Sequence, residues 1–196
     1  MRARSLSRLL AAISLGAAIA AATSLSSLAQ TMGVKERYDA TAINMGSGPT
    51  GMGRVEIAVD RWSTPAEREK LLKVLFEKGP EKLLDALQDN QKVGYIRLPT
   101  TLAWDLRYAF QSPLPEGGRR VVLVTDRPIS FQEARNSGRS MDYPFTLIEI
   151  RFPKDGAGVG KMSVRTKISL SKDKQTVELE NYGIEPVRLT EVRIEK

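Results

Sequence analysis

Two Asp-Arg pairs, Asp60-Arg61 followed by Trp62 and Asp126-Arg127 followed by Pro128, each close a segment that reads as a β-strand. Strand ends are where sheets present binding groups. With Tyr95 or Trp104 at the same rim, two guanidinium forks beside an aromatic face would suit a planar, acidic or sugar-like ligand. The plainer alternative is a set of ion pairs that shape turns, and for Trp104 it is core packing. Asp60, Asp105 and Asp126 also offer carboxylates, and glycoside hydrolysis needs two of these at a defined separation. The chain contains no His and no Cys. That excludes Ser-His-Asp and Cys-His nucleophilic catalysis, imidazole acid–base work, and the usual zinc, iron and copper ligand sets. The expectation is a protein with no catalytic residue, no metal and no cofactor; an enzyme built on this sequence would use carboxylates, Lys, Tyr or Arg.

Two glycine-rich stretches, Gly46 to Gly53 and Gly156 to Gly160, invite a phosphate-binding reading. Neither ends in the Gly-Lys-Ser/Thr of a P-loop, and both run into strand patterns where a helix N-terminus would be needed. They are read as flexible loops. No acidic loop has calcium spacing.

Strict alternation of apolar and polar side chains marks the elements that must position these residues. Leu102, Trp104, Leu106, Tyr108 and Phe110 form one row, Met162, Val164, Ile168 and Leu170 a second, and Thr146, Ile148, Ile150 and Phe152 a third. Val34 to Ile43, Arg54 to Trp62, Val93 to Leu98, Val121 to Val124, Val177 to Leu179 and Val187 to Ile194 bring the expected number to about nine strands. Half-wet strands joined by short turns, such as Gly117-Gly118, Lys154-Asp155-Gly156 and Asn181-Tyr182-Gly183, belong to an antiparallel meander. Val187 and Leu189 share one parity and Val192 and Ile194 the other, so a β-bulge is expected near Thr190-Glu191. The polar stretch Phe131 to Asp142 reads as a longer surface loop.

One helical segment, near 65–89, interrupts the strands. Thr64-Pro65-Ala66-Glu67 combines a capping hydroxyl, a Pro at the first helical position and a Glu three residues after the cap. Leu71, Leu72, Leu75 and Phe76 then form an apolar face, Gly79-Pro80 stops the helix, and Leu83, Leu84 and Leu87 give the face of a second. The pair is expected on the sheet or across a barrel mouth. The fold class is therefore mainly β with a helical insertion, a barrel or a sandwich.

The N-terminus reads Met-Arg-Ala-Arg-Ser-Leu-Ser-Arg, and Leu9 to Ala22 is uncharged and rich in Ala and Leu. That is the layout of a secretory signal, and the run falls short of the roughly 20 apolar residues of a bilayer span. Small residues at Ser27 and Ala29 place the cut before Gln30, giving a signal peptide over 1–29 and a single β-rich domain over 30–196. Three of the 30 basic residues lie in the signal, so 27 basic and 23 acidic residues leave the mature domain at +4. Interleaved charges argue against a nucleic-acid surface, and no later segment reads as a membrane span.

Asp60-Arg61-Trp62-Ser63, Val93-Gly94-Tyr95-Ile96-Arg97, Thr125-Asp126-Arg127-Pro128-Ile129, Tyr143 to Glu149 and Glu180-Asn181-Tyr182 resemble a group of uncharacterised exported bacterial proteins. That resemblance covers most of the mature chain and implies no activity. In architecture the exported meander with a Trp at an early strand end is also similar to the calycin ligand-holding barrels. It departs from them at Asp60, where they carry Gly, and in the helical pair that follows. The leading expectation is a non-catalytic binding or carrier module of the cell envelope, periplasmic or extracellular. Its partner would be a small apolar or sugar-like ligand or an envelope protein. An envelope interaction module and a carboxylate-based hydrolase are the alternatives.

Overall fold

A strand with one apolar face must bury that face, and this chain does so by closing its sheet on itself. The computed structural model describes residues 35–44, 51–99, 102–127, 129, 144–170, 177–181 and 186–195. The segments expected to be a signal (1–29), the start of the first glycine stretch, a surface loop (131–142) and part of a turn (Tyr182 and Gly183) lie outside the described residues. The strands are β1 (Glu36–Asn44), β2 (Gly51–Val59), β3 (Gly94–Arg97), β4 (Trp104–Pro113), β5 (Arg119–Thr125), β6 (Phe145–Phe152), β7 (Gly158–Leu170), β8 (Val177–Asn181) and β9 (Val187–Glu195). β1 to β7 pair in sequence order, and β9 sits between β7 and β1. The result is a closed, antiparallel eight-stranded barrel, which settles the choice between barrel and sandwich. β8 is the extra strand: β7 pairs with β9 from Gly158 to Met162 and with β8 from Thr166 to Leu170.

All eight barrel strands send apolar side chains into one buried cluster. Tyr38, Ile57, Ile96, Leu106, Leu123, Ile148, Met162 and Leu189 supply one large side chain each. Trp62 joins them from beyond β2, where Ser63 N–H donates to Ala109 O at 2.9 Å and Ser63 Oγ accepts from Ala109 N–H at 3.0 Å. The short β3 is thereby bypassed and β2 is tied to the far half of β4. Gly158 and Gly160, expected in a flexible loop, are instead strand residues of β7. A Cβ at Gly160 would stand 2.6 Å from Glu149 O, so the small residue permits close approach of β6.

Bulges decide which residues face in. In β9, Glu191 adopts φ 52° and two residues, Glu191 and Val192, oppose Ala40 alone. This is the bulge expected near Thr190-Glu191, and it turns Val187, Leu189 and Val192 inward while Ile194 stays 45% exposed. A second bulge in β4 corrects the alternation reading of that strand. Leu106 pairs with Thr125 and Tyr108 with Val124, so Arg107 is the extra residue. Beyond it Ala109 faces in, Tyr108 and Phe110 face out, and Leu102 is 90% exposed. A register shift in β7 between Ser163 and Thr166 likewise moves Ile168 out of the barrel.

The outward apolar residues are covered by the helices. α1 (Pro65–Lys78) starts at a capping box: Thr64 Oγ1 accepts from Glu67 N–H at 3.2 Å and Thr64 N–H donates to Glu67 Oε2 at 2.8 Å. Gly79 ends it, and a 3₁₀ turn over Pro80–Lys82 leads into α2 (Leu83–Gln88). Leu71, Leu75, Leu83, Ala86 and Leu87 pack on Val124, Phe145 and Ile168, with Val74, Leu84, Tyr108 and Leu147 at the edge. The pair therefore lies on the outer wall, not across a mouth. Phe76, expected on the apolar face, is 41% exposed. Among the described residues no helix is long and apolar enough to cross a membrane.

Candidate functional site

The opposite part of the wall is wet and charged. Arg54 makes two 2.7 Å bonds to Asp39, and Glu56 is held by Arg37, Arg97 and the Tyr95 hydroxyl. The Tyr95 and Arg97 hydrogen bonds keep the Glu56 carboxyl below its ordinary range. Further round the barrel the charges gather at a cleft of about 310 Å³ between the end of α2 and the β4–β5 wall, lined by Gln88, Asp105, Arg107, Asp126 and Arg127.

The β4 bulge builds this cleft. An extra residue in one strand re-aims its side chain, and here Arg107 and Tyr108 both project outward. Arg107 Nε donates to Asp126 Oδ2 at 3.0 Å, one terminal nitrogen donates to Asn90 O at 3.1 Å, and Asp105 Oδ2 lies 3.8 Å from the other. Asp105 is itself paired with Lys92 Nζ at 2.7 Å. Arg127 is exposed and, among the described residues, makes one long hydrogen bond, 3.4 Å to Ala103 O. Asn90 is 5% exposed, and its Nδ2 has no partner among the described residues.

No protein family, curated protein or solved structure matches this chain.

Of the six residues singled out as a ligand site in the sequence, the fold brings Asp126 and Arg127 into the cleft, beside the candidate carboxylate Asp105, and leaves the others elsewhere. Asp60 and Arg61 leave β2, where both backbone N–H groups donate to Val93 O. Arg61 forms a bidentate pair with Glu67 at 2.8 and 2.9 Å and reaches Gln91 O. That pairing lowers the Glu67 carboxyl and fixes the start of α1, which is the turn-shaping alternative realised. Tyr95 lies on the outer wall between Arg37 and Lys92, 5.9 and 5.8 Å from its ring centre. Trp104 packs against the interior cluster. The two Asp-Arg pairs thus do not share a site, and among the described residues no aromatic ring lines the cleft.

Asp105 and Asp126 do share the cleft, as a two-carboxylate hydrolase requires, but the Arg107 guanidinium stands between them. A glycosidase pair needs that space for the sugar and its water. Among the described residues no group of three or more acidic side chains is placed to hold a metal ion. Alternation within β4 already set Asp105 and Arg107 on the outward side. Gln88, contributed by the helix end, carried no local signal, because its place depends on how α2 packs.

Proposed function

We propose that this chain is an exported, non-catalytic binding module of the bacterial cell envelope that holds its partner on the outside of the barrel. The observation that carries this reading is the contiguous buried cluster contributed by all eight barrel strands, Trp62 and Tyr38 included. Eight strands enclose a space that side chains can fill or a small ligand can occupy, and here every strand sends a large side chain into it. Binding then falls to the wall, where the open charged cleft is the concave feature described above. The signal-like N-terminus supports export. The absence of His and Cys, and the guanidinium between Asp105 and Asp126, support a non-catalytic role.

Native mass spectrometry of the protein purified from its own exporting cells, compared with its denatured mass, tests the reading, together with crosslinking in the intact envelope. An excess mass lost on denaturation, or a reproducible crosslinked partner, is expected. A bare mass with no crosslinked partner would overturn it. Hydrolysis of envelope sugars by the wild type, lost in Asp105→Asn and Asp126→Asn, would replace it with the hydrolase reading.

A further inference from the structure

We propose that the cleft beside the β4 bulge binds a small carboxylate, anchored by the Arg127 guanidinium. This rests on the reading of the chain as an outer-wall binding module and adds the chemistry of its ligand. The charges around the cleft divide into pairs and one remainder. Asp126 is taken by Arg107 at 3.0 Å and Asp105 by Lys92 at 2.7 Å. Arg127 has no carboxylate partner among the described residues, and its one hydrogen bond, to Ala103 O, is long. Among the described residues, Lys92, Arg107 and Arg127 against Asp105 and Asp126 leave one positive charge at the site. A planar, singly charged carboxylate matches both that charge and the fork of a guanidinium. A dianionic phosphate would meet the same fork with Asp105 and Asp126 close by, which disfavours it.

The floor of the cleft is rigid where the ligand needs it to be. Arg107 is the bulge residue, and its bonds to Asp126 and Asn90 O tie β4, β5 and the segment after α2 together. Bulges recur beside binding and active sites because they re-aim one side chain without ending the strand. Hydrogen-bonding capacity also remains at this place. Gln88 lines the cleft from the helix side and adds an amide to its wall. The cavity of about 310 Å³ sits at the lower end of the range for small-molecule sites, so the ligand is of the order of a single sugar acid.

The test follows the side-chain N–H signals of Arg107, Arg127 and Gln88 by NMR in the protein purified from exporting cells. Sodium glucuronate, sodium acetate and inorganic phosphate are titrated in turn at constant ionic strength. Saturable shifts at these groups with glucuronate, and weaker binding of phosphate, are expected. Arg127→Gln, with unchanged melting temperature, is expected to raise the Kd by about tenfold or more, and Arg188→Gln on β9 to leave it unchanged. Shifts that do not saturate, that persist unaltered in Arg127→Gln, or that favour phosphate would overturn the proposal. If these fail while native mass spectrometry or crosslinking still finds a partner, only the carboxylate assignment falls. If both fail, the binding-module reading falls with it.

Discussion

Two arginine-centred clusters stand on the two sides of the same barrel wall, and they use their hydrogen-bonding capacity in opposite ways. Inside, Arg119 on β5 reaches across to Glu36 at the start of β1, with bonds of 2.7 and 3.0 Å to its two oxygens. It also donates to Gln111 at 2.7 Å and lies over the Phe152 ring. The Tyr38 hydroxyl donates to the same carboxylate. Burial pulls the Glu36 carboxyl upward, but the Arg119 and Tyr38 hydrogen bonds and the Arg119 charge outweigh it, and the net shift is downward. Burial and the bond to Glu36 push the Tyr38 phenol up. Outside, Arg107 is as fully engaged as Arg119, but among the described residues its neighbour Arg127 is not. A satisfied network specifies a structure, whereas a network with capacity left over is where a ligand gains free energy.

The largest break in this comparison is expected inside. Arg119→Met leaves the Glu36 carboxylate in a partly buried mouth without its cation, and a loss of about 2–4 kcal/mol is expected in urea unfolding. The double variant Glu36→Gln/Arg119→Met carries no unpaired charge. It is expected to recover part of that loss, and a double variant as unstable as the sum of its singles would refute the coupling. The same pair sets an acid limb. Glu36 titrates below its ordinary value of 4.5 in the folded chain, so its stabilisation is complete above that value and disappears as pH falls through the folded pKa. Melting temperature followed from pH 7 to pH 3 is expected to fall less steeply below about pH 4.5 in Glu36→Gln. Glu56 and Glu67, also held low, add an acid slope common to both proteins, so the difference between the two curves isolates Glu36.

A smaller effect is expected from Arg107→Gln, about 1–2 kcal/mol, since the lost bonds to Asp126 and Asn90 O lie near the surface. Its measurement also probes what a reader of the sequence can and cannot see. The side-chain pattern located all nine strands, three by strict alternation and Val121 to Val124 by a continuous apolar run, and the parity conflict between Leu189 and Val192 placed the β9 bulge, because all of these are local patterns. The β4 bulge left no such conflict. Leu102, Trp104, Leu106, Tyr108 and Phe110 alternate cleanly, and only pairing with β5 and a helical cover for Tyr108 turn the far half of the strand over. The candidate site was half legible for the same reason. Asp126-Arg127 was visible as a strand-end pair, whereas its union with Arg107 and Gln88 depends on tertiary contacts. Asp60-Arg61 looked alike in sequence and became a helix cap partner because Glu67 lies one turn away.

The smallest expected change in stability, and the one that best separates the two clusters, comes from Arg127→Gln. Its side chain is exposed and its single bond among the described residues, to Ala103 O, is long, so the cost is expected to stay within about 0.5 kcal/mol. The backbone carbonyl of residue 127, which receives Thr125 Oγ1, is untouched by the substitution. An arginine that contributes to the fold, as Arg119 does, cannot be replaced at so low a cost. Equal losses of stability for Arg119→Met and Arg127→Gln in matched urea titrations would therefore place Arg127 among the structural ion pairs. A silent Arg127→Gln is what a residue kept for contact with something outside the chain should give.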